Sequence, residues 1–152
     1  ISHDIVGAEF AAVAKNVYAV AAGVYHGLGY GDNFQSVLVC NAAREMRDFM
    51  SRVCRVNADI MDSTYLGDLL VTMYSQYSRN RNFGTMIGKG YSVKYARMEM
   101  IQIAEGYYGA QGIAHFMDKF GLDMPIAKAV YEVLYDKKPA ARVFASLTEK
   151  LI

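Results

Sequence analysis

An ammonium group set in a run of alanine, valine and tyrosine is the first chemical oddity of this chain. The stretch AAVAKNVYAVAAG, residues 11–23, carries Lys15 followed directly by Asn16. A helix this apolar is usually buried, and an unpaired buried charge is expensive. Either Lys15 lies at a helix edge and snorkels its head to water, or the helix lines a site where a proton-carrying lysine is wanted. A second oddity is LGDLLVT, which sets Asp68 among leucines with Thr72 four residues on, hence on the same helical face. A third is YSRNRNFG, which packs Ser78, Arg79, Asn80, Arg81 and Asn82 into one run. Ser78 can cap a helix, and the N–H groups of such a terminus beside an arginine form a ready anion site suited to phosphate. Taken singly, Asp68 reads as half of a buried salt bridge and the arginines as a solvated face.

Other chemistries find little support. His3, His26 and His115 are scattered and show no i,i+4 pairing with carboxylates, so no metal site is expected. GTMIGKG resembles a phosphate loop only superficially. Three residues, not four, separate Gly84 from Gly88, and Gly90 stands where a Ser or Thr should be, so a glycine-rich helix exit is expected there. No G-x-G-x-x-G follows a strand. Cys40 and Cys54 lie in helix-like apolar surroundings and read as small hydrophobes in a reducing compartment. The net charge of +1 advertises neither nucleic acid nor an acidic tail. No apolar run is long enough to span a bilayer, no signal peptide is evident, and a cytoplasmic location is the default. The chain begins at Ile1 rather than methionine, which hints at a fragment, a cleaved chain or missing residues.

The elements that must position these residues read as helices almost throughout. With 152 residues, 53% of them hydrophobic, there is room for one domain with a sizeable core. An Ala/Val helix over 7–25 ends at GLGYGDN, and a second helix over 34–53 follows with Asp32 or Asn33 as its N-cap. Val37, Val39, Met46, Phe49, Met50 and Val53 give its apolar positions, and Arg44, Glu45, Arg47 and Asp48 a wet flank. After a connector around NADIMDSTY come a helix over 66–76, another opening near Ser78, and a short charged one over 93–101. Three helical stretches close the chain, with Pro125 and Pro139 in first turns and an apolar stripe of Ile126, Val130, Val133 and Leu134. No strand alternation and no internal repeat is found, so the class is all-α.

Together, KNVYAVAAG, GLGYGDN, LGDLLVT, SRNRNFG, AEGY and MPIAKAVYEVLY, in this order over nearly the whole chain, resemble the C-terminal domain of NAD(P)-dependent glycerol-3-phosphate dehydrogenase. The resemblance implies one helical substrate-binding and catalytic domain over 1–152, of the 6-phosphogluconate dehydrogenase C-terminal-like type. In that family it follows an N-terminal Rossmann domain, and the active site lies between the two. It further implies that Lys15 is the proton donor or acceptor at the substrate C2 oxygen, that Asn16 lies near the substrate, and that Asp68 contacts substrate and helps set the lysine's protonation. Thr72 shares that site, while Ser78, Arg79 and Asn80 receive the glycerol phosphate. Arg79 also approaches the cofactor phosphates, and Ile103 and Glu105 border the nucleotide, NAD or NADP. Such an enzyme would interconvert dihydroxyacetone phosphate and sn-glycerol 3-phosphate for glycerolipid synthesis, as a cytoplasmic homodimer binding neither nucleic acid nor membrane.

The chemistry accounts for these residue types. Hydride arriving at a ketone puts negative charge on its oxygen, which a nearby lysine stabilises and protonates. Desolvation favours the free amine and a neighbouring carboxylate the ammonium, two opposed effects. A phosphate held by Arg79 and the capped helix lends binding energy to positioning the reacting carbon. Three departures from the family stand out: Phe34 after the GDN turn, NAAREM in the second helix, and Thr64 with Tyr65 before LGDL. Without a nucleotide-binding half, this chain alone is expected to transfer no hydride. The competing readings are a stand-alone helical interaction or dimerisation module and the helical domain of a related dehydrogenase.

Overall fold

The computed structural model describes residues 2–54 and 63–151, with side chains over 7–53 and 65–151. Eight α-helices account for most of these residues: α1 Ser2–Gly27, α2 Asp32–Phe49, α3 Asp68–Tyr74, α4 Arg79–Gly88, α5 Val93–Glu99, α6 Glu105–Phe120, α7 Pro125–Leu134 and α8 Ala140–Thr148. Short π-helical turns at Met50–Cys54 and Ser63–Gly67 extend α2 and lead into α3. No strand occurs among the described residues, as the sequence pattern requires. The expectations for His3, Cys54, Thr64 and the connector at 57–62 fall outside the residues so described.

The axis of the fold is α1. Its alanines and the absence of proline favour an uninterrupted helix, and from Val17 to Tyr25 it is buried on every side. A helix apolar all round must run through a core, and α2, α3, α4, α6 and α7 pack around this one. Lys15 and Asn16 stand immediately before that fully buried run, where α1 is still partly open. Tyr25 shows how the interior is closed. Its ring packs against Tyr30, Phe34 and Phe144, and its hydroxyl donates to the Phe144 carbonyl at 3.2 Å. Phe34, one of the departures from the family pattern, is therefore spent on this aromatic cluster.

The glycines expected to form a helix exit do something else. Gly84 and Gly88 lie inside α4, and Gly23 and Gly27 inside α1. A Cβ added at Gly84 would fall 2.0 Å from the Val20 carbonyl oxygen, and one at Gly23 would fall 1.9 Å from that of Arg81. Gly23 meets the backbone of Arg81 and Thr85, and Gly27 that of Thr85 and Lys89, so the two helices run side by side in the same direction. The chain leaves α4 only at Gly90, whose φ of 101° lies where other residues are strained.

Glu45 corrects a second expectation. It does not belong to the wet flank of α2: it is 6% exposed, while Arg44, Arg47 and Asp48 face water. Its two carboxylate oxygens accept from the Ile126 and Ala127 N–H groups at 2.9 and 3.0 Å. It thus caps the start of α7, whose first residue, Pro125, has no N–H to offer. Burial raises its pKa from the ordinary carboxylate value to about 7, against the pull of those two N–H groups. The enclosed Tyr18 hydroxyl lies near this carboxylate without meeting hydrogen-bond geometry, and burial together with that charge pushes the phenol well above its usual range. Smaller corrections follow the same logic of local backbone. Gly31, not Asp32 or Asn33, precedes α2, so both polar residues lie in its first turn. Pro139 stands just before α8. The helix expected over 66–76 is the π turn followed by α3, and Cys40 is exposed rather than packed among apolar neighbours.

Two outcomes test this packing. Gly84→Ala should destabilise the chain by about 3 kcal/mol or more, read from its urea midpoint, because neither backbone can yield to the new methyl. Because the folded protein holds the Glu45 proton up to about pH 7 and the unfolded chain releases it near its ordinary value, stability should fall as pH rises between these limits. The contribution is on the order of 3 kcal/mol, present in full below the unfolded pKa. Denaturation at stepped pH should show this slope flattened in Glu45→Gln.

Candidate active site

Four helix segments converge where α1 emerges from the core. The Lys15 ammonium of α1 pairs with the carboxylate of Asp68, the first residue of α3. One residue on, Asn16 donates from Nδ2 to Glu105 Oε2 of α6 at 3.1 Å. Beside it, Asn80 of α4 is 9% exposed, and its Oδ1 accepts from the Gly106 N–H at 2.8 Å. Gly106 is wedged between these groups: an added Cβ would lie 2.7 Å from the Asn16 carbonyl oxygen and 3.0 Å from Asn80 Oδ1.

The start of α4 has the form anticipated for it. Ser78 caps the helix, its Oγ accepting from the Arg81 N–H at 3.3 Å. The N–H groups of Arg79 and Asn80 are thereby left at the helix start, outside the intrahelical ladder. The Arg79 guanidinium is exposed and donates from Nη1 to Gln102 Oε1, a neutral acceptor, and among the described residues it makes no salt bridge. Thr72 shares the face of Asp68, but its hydroxyl donates to the Asp68 carbonyl at 2.7 Å and so serves its own helix.

The sequence-predicted residues are therefore brought together in part. Lys15 and Asp68 line one hollow of about 140 Å³ with Ala8, Ala12, Met46 and Tyr65. Arg79 does not line it. It joins the group through its neighbour Asn80, which α6 ties to Asn16 and Glu105. Ile103 stands on the connector before α6, 58% exposed, and borders a different hollow beside α5. Two residues escaped the sequence reading. Gln102 lies 23 positions from Arg79 with no pattern to link them, and the need for glycine at 106 arises only once α1, α4 and α6 meet. Among the described residues, no cluster of His, Cys, Asp or Glu could hold a metal ion, and no helix is long and apolar enough to cross a membrane.

An ammonium in contact with a carboxylate at the rim of a hollow can pass a proton to an oxygen of a ligand seated there. The pair contributes little to the fold, since the Lys15 side chain is 24% exposed and that of Asp68 51%. Exposed pairs of this kind stabilise by less than about 1 kcal/mol.

The family model for the C-terminus of NAD-dependent glycerol-3-phosphate dehydrogenase matches residues 4–145. The chain is 40% identical to glycerol-3-phosphate dehydrogenase [NAD(P)+] of Chlorobium chlorochromatii over 99% of its own length and 45% of that protein's. It thus spans less than half the length of this curated relative. Among solved structures, glycerol-3-phosphate dehydrogenase of Coxiella burnetii superposes with a TM-score of 0.88 at 28% identity, over 94% of this chain and 44% of that one. The corresponding enzyme of Saccharomyces cerevisiae, at 22% identity and a TM-score of 0.84 over 94% and 42%, shares the fold.

If the pair is kept for chemistry rather than for folding, Asp68→Asn should shift the free energy of unfolding by less than about 1 kcal/mol in urea denaturation. A loss several times larger would assign it to the scaffold.

Proposed function

The chain belongs to the C-terminal domain family of NAD-dependent glycerol-3-phosphate dehydrogenase, and from that premise we propose that residues 1–152 form the substrate-binding and catalytic-lysine domain of such an enzyme. The reaction is the interconversion of dihydroxyacetone phosphate and sn-glycerol 3-phosphate. The observation that carries this reading is the Lys15–Asp68 pair, formed across 53 residues of sequence at the rim of a hollow.

The ketone oxygen of the substrate lies against the Lys15 ammonium in this reading. As negative charge develops on that oxygen, Lys15 stabilises it and delivers the proton, then takes it back in the reverse direction. Asp68 orients the ammonium toward that oxygen. Asn16, held by Glu105, lies beside the reacting carbon. The phosphate rests on the N–H groups at the start of α4, with Ser78 and Asn80 shaping the cradle and the Arg79 guanidinium over it. Thr72 supports Asp68 from one turn further along α3.

A nicotinamide cofactor, NAD or NADP, supplies or accepts the hydride when bound. The residues here fit only its edge: an exposed guanidinium with a neutral partner at Arg79, the exposed Ile103 and the carboxylate of Glu105. Among the described residues no strand occurs, and so no glycine-rich strand–helix unit holds a dinucleotide by its pyrophosphate. The remainder of the cofactor site, and with it the activity, accordingly belongs to an N-terminal Rossmann domain. The whole enzyme acts as a cytoplasmic homodimer that feeds glycerolipid synthesis.

Joined to the nucleotide-binding half of a relative, the chain should reduce dihydroxyacetone phosphate with NADH or NADPH, while alone it should show no turnover. Lys15→Ala should lower kcat by about 10²- to 10⁴-fold, and Arg79→Ala should act mainly on KM. Full kcat in the Lys15 variant would refute the assignment.

A further inference from the structure

Away from Lys15, a groove runs beside α5. It consists of two adjoining hollows of about 520 and 480 Å³ that share Val93, Lys94 and Lys137. Ile87 and Val133 wall the first, and Phe83, Met100 and Leu134 the second. No aspartate or glutamate lines either one.

Three cations stand over this apolar trough, and none has a carboxylate within ion-pair distance among the described residues. Arg97 is aimed by neutral groups alone. Its guanidinium lies 4.1 Å from the centroid of the Tyr107 ring and donates to the Tyr107 and Tyr108 hydroxyls at 3.3 and 3.4 Å. Lys94 and Lys137 each line both hollows. Lys137 holds a φ of 55°, the one non-glycine residue with positive φ among those described. Glycine would adopt this backbone without steric cost, whereas lysine is strained there. What the lysine adds in return is a positive charge at the junction. Lys138, by contrast, is neutralised by Glu132 at 3.1 Å.

We propose that this groove binds a free single-chain amphiphile with a phosphate head. The alkyl chain lies along the apolar walls, and the head sits between Lys94, Lys137 and Arg97. An uncharged chain would leave the three cations unmatched, and a small anion would leave the trough empty. Only a ligand with both parts satisfies both features. Ile103, assigned above to the cofactor's edge, also borders the second hollow, and competition with NADPH separates the two readings.

Calorimetric titration of this chain with dodecyl phosphate, below its micelle concentration, should show one site. Dodecanol and inorganic phosphate should bind at least tenfold more weakly, and dodecyltrimethylammonium should not bind. The Lys94→Glu/Lys137→Glu double variant should lose at least tenfold in affinity with an unchanged circular dichroism melt. Ala141→Trp, which fills the first hollow, should lose binding without altering charge. Equal binding of dodecanol and the cationic amphiphile, or affinity unchanged in both variants, would reduce the groove to generic apolar surface and overturn the proposal. Displacement of dodecyl phosphate by NADPH or ADP would assign the groove to a nucleotide and overturn it equally.

Discussion

Where α1 and α4 touch, they touch backbone to backbone. With glycine at 23, 27, 84 and 88, no side chain separates the two helices, and each added Cβ would collide with a carbonyl or amide of the other. Such proximity is available only to a pair without side chains at the crossing, and it allows dense dispersion contact along the whole length. Because the helices run in the same direction, the first turn of α4 comes to rest against the middle of α1. That is where α1 passes from a wholly buried helix to a partly open one, and where Lys15 and Asn16 stand. The placement of the α4 start beside Lys15 and Asn16 is thus a product of packing between glycines.

Among the described residues, one carboxylate is buried in the interior, away from Lys15 and Asp68. Glu45 offers both oxygens to the first N–H groups of α7, the donors that any helix leaves without intrahelical partners. A serine or threonine at the N-cap would serve locally, but Met124 occupies that position and has no acceptor. The acceptor is therefore borrowed from α2, at the expense of desolvating a carboxylate. A buried acid so placed welds the N-terminal and C-terminal parts of the chain, since the two partners lie 81 residues apart.

What could be read from the sequence and what could not divides along the range of the interactions involved. The Ser78 cap was legible because acceptor and donor are three residues apart and the geometry of a helix start is generic. The apolar stripe of α7 was legible from its period, and all four of its residues are buried. Glu45 was not, because on α2 it sits among charged neighbours and its partners belong to another helix. In sequence the glycines of GTMIGKG read as a helix exit, because a small residue announces close approach without naming what approaches. Cys40 was misplaced because apolar neighbours in sequence need not share a face. The pairing of Lys15 with Asp68 followed from a family likeness rather than from spacing, and the group at Asn16, Glu105, Gly106 and Asn80 required three helices to be brought together.

Asn80 spends its carbonyl oxygen on the Gly106 amide, and this clasp ties the start of α4 to the start of α6. The two helix starts are held together by the fold itself, so the conformational freedom of each is given up on folding. The start of α4 is thereby fixed against Asn16 through one amide and one glycine, with no loop in between.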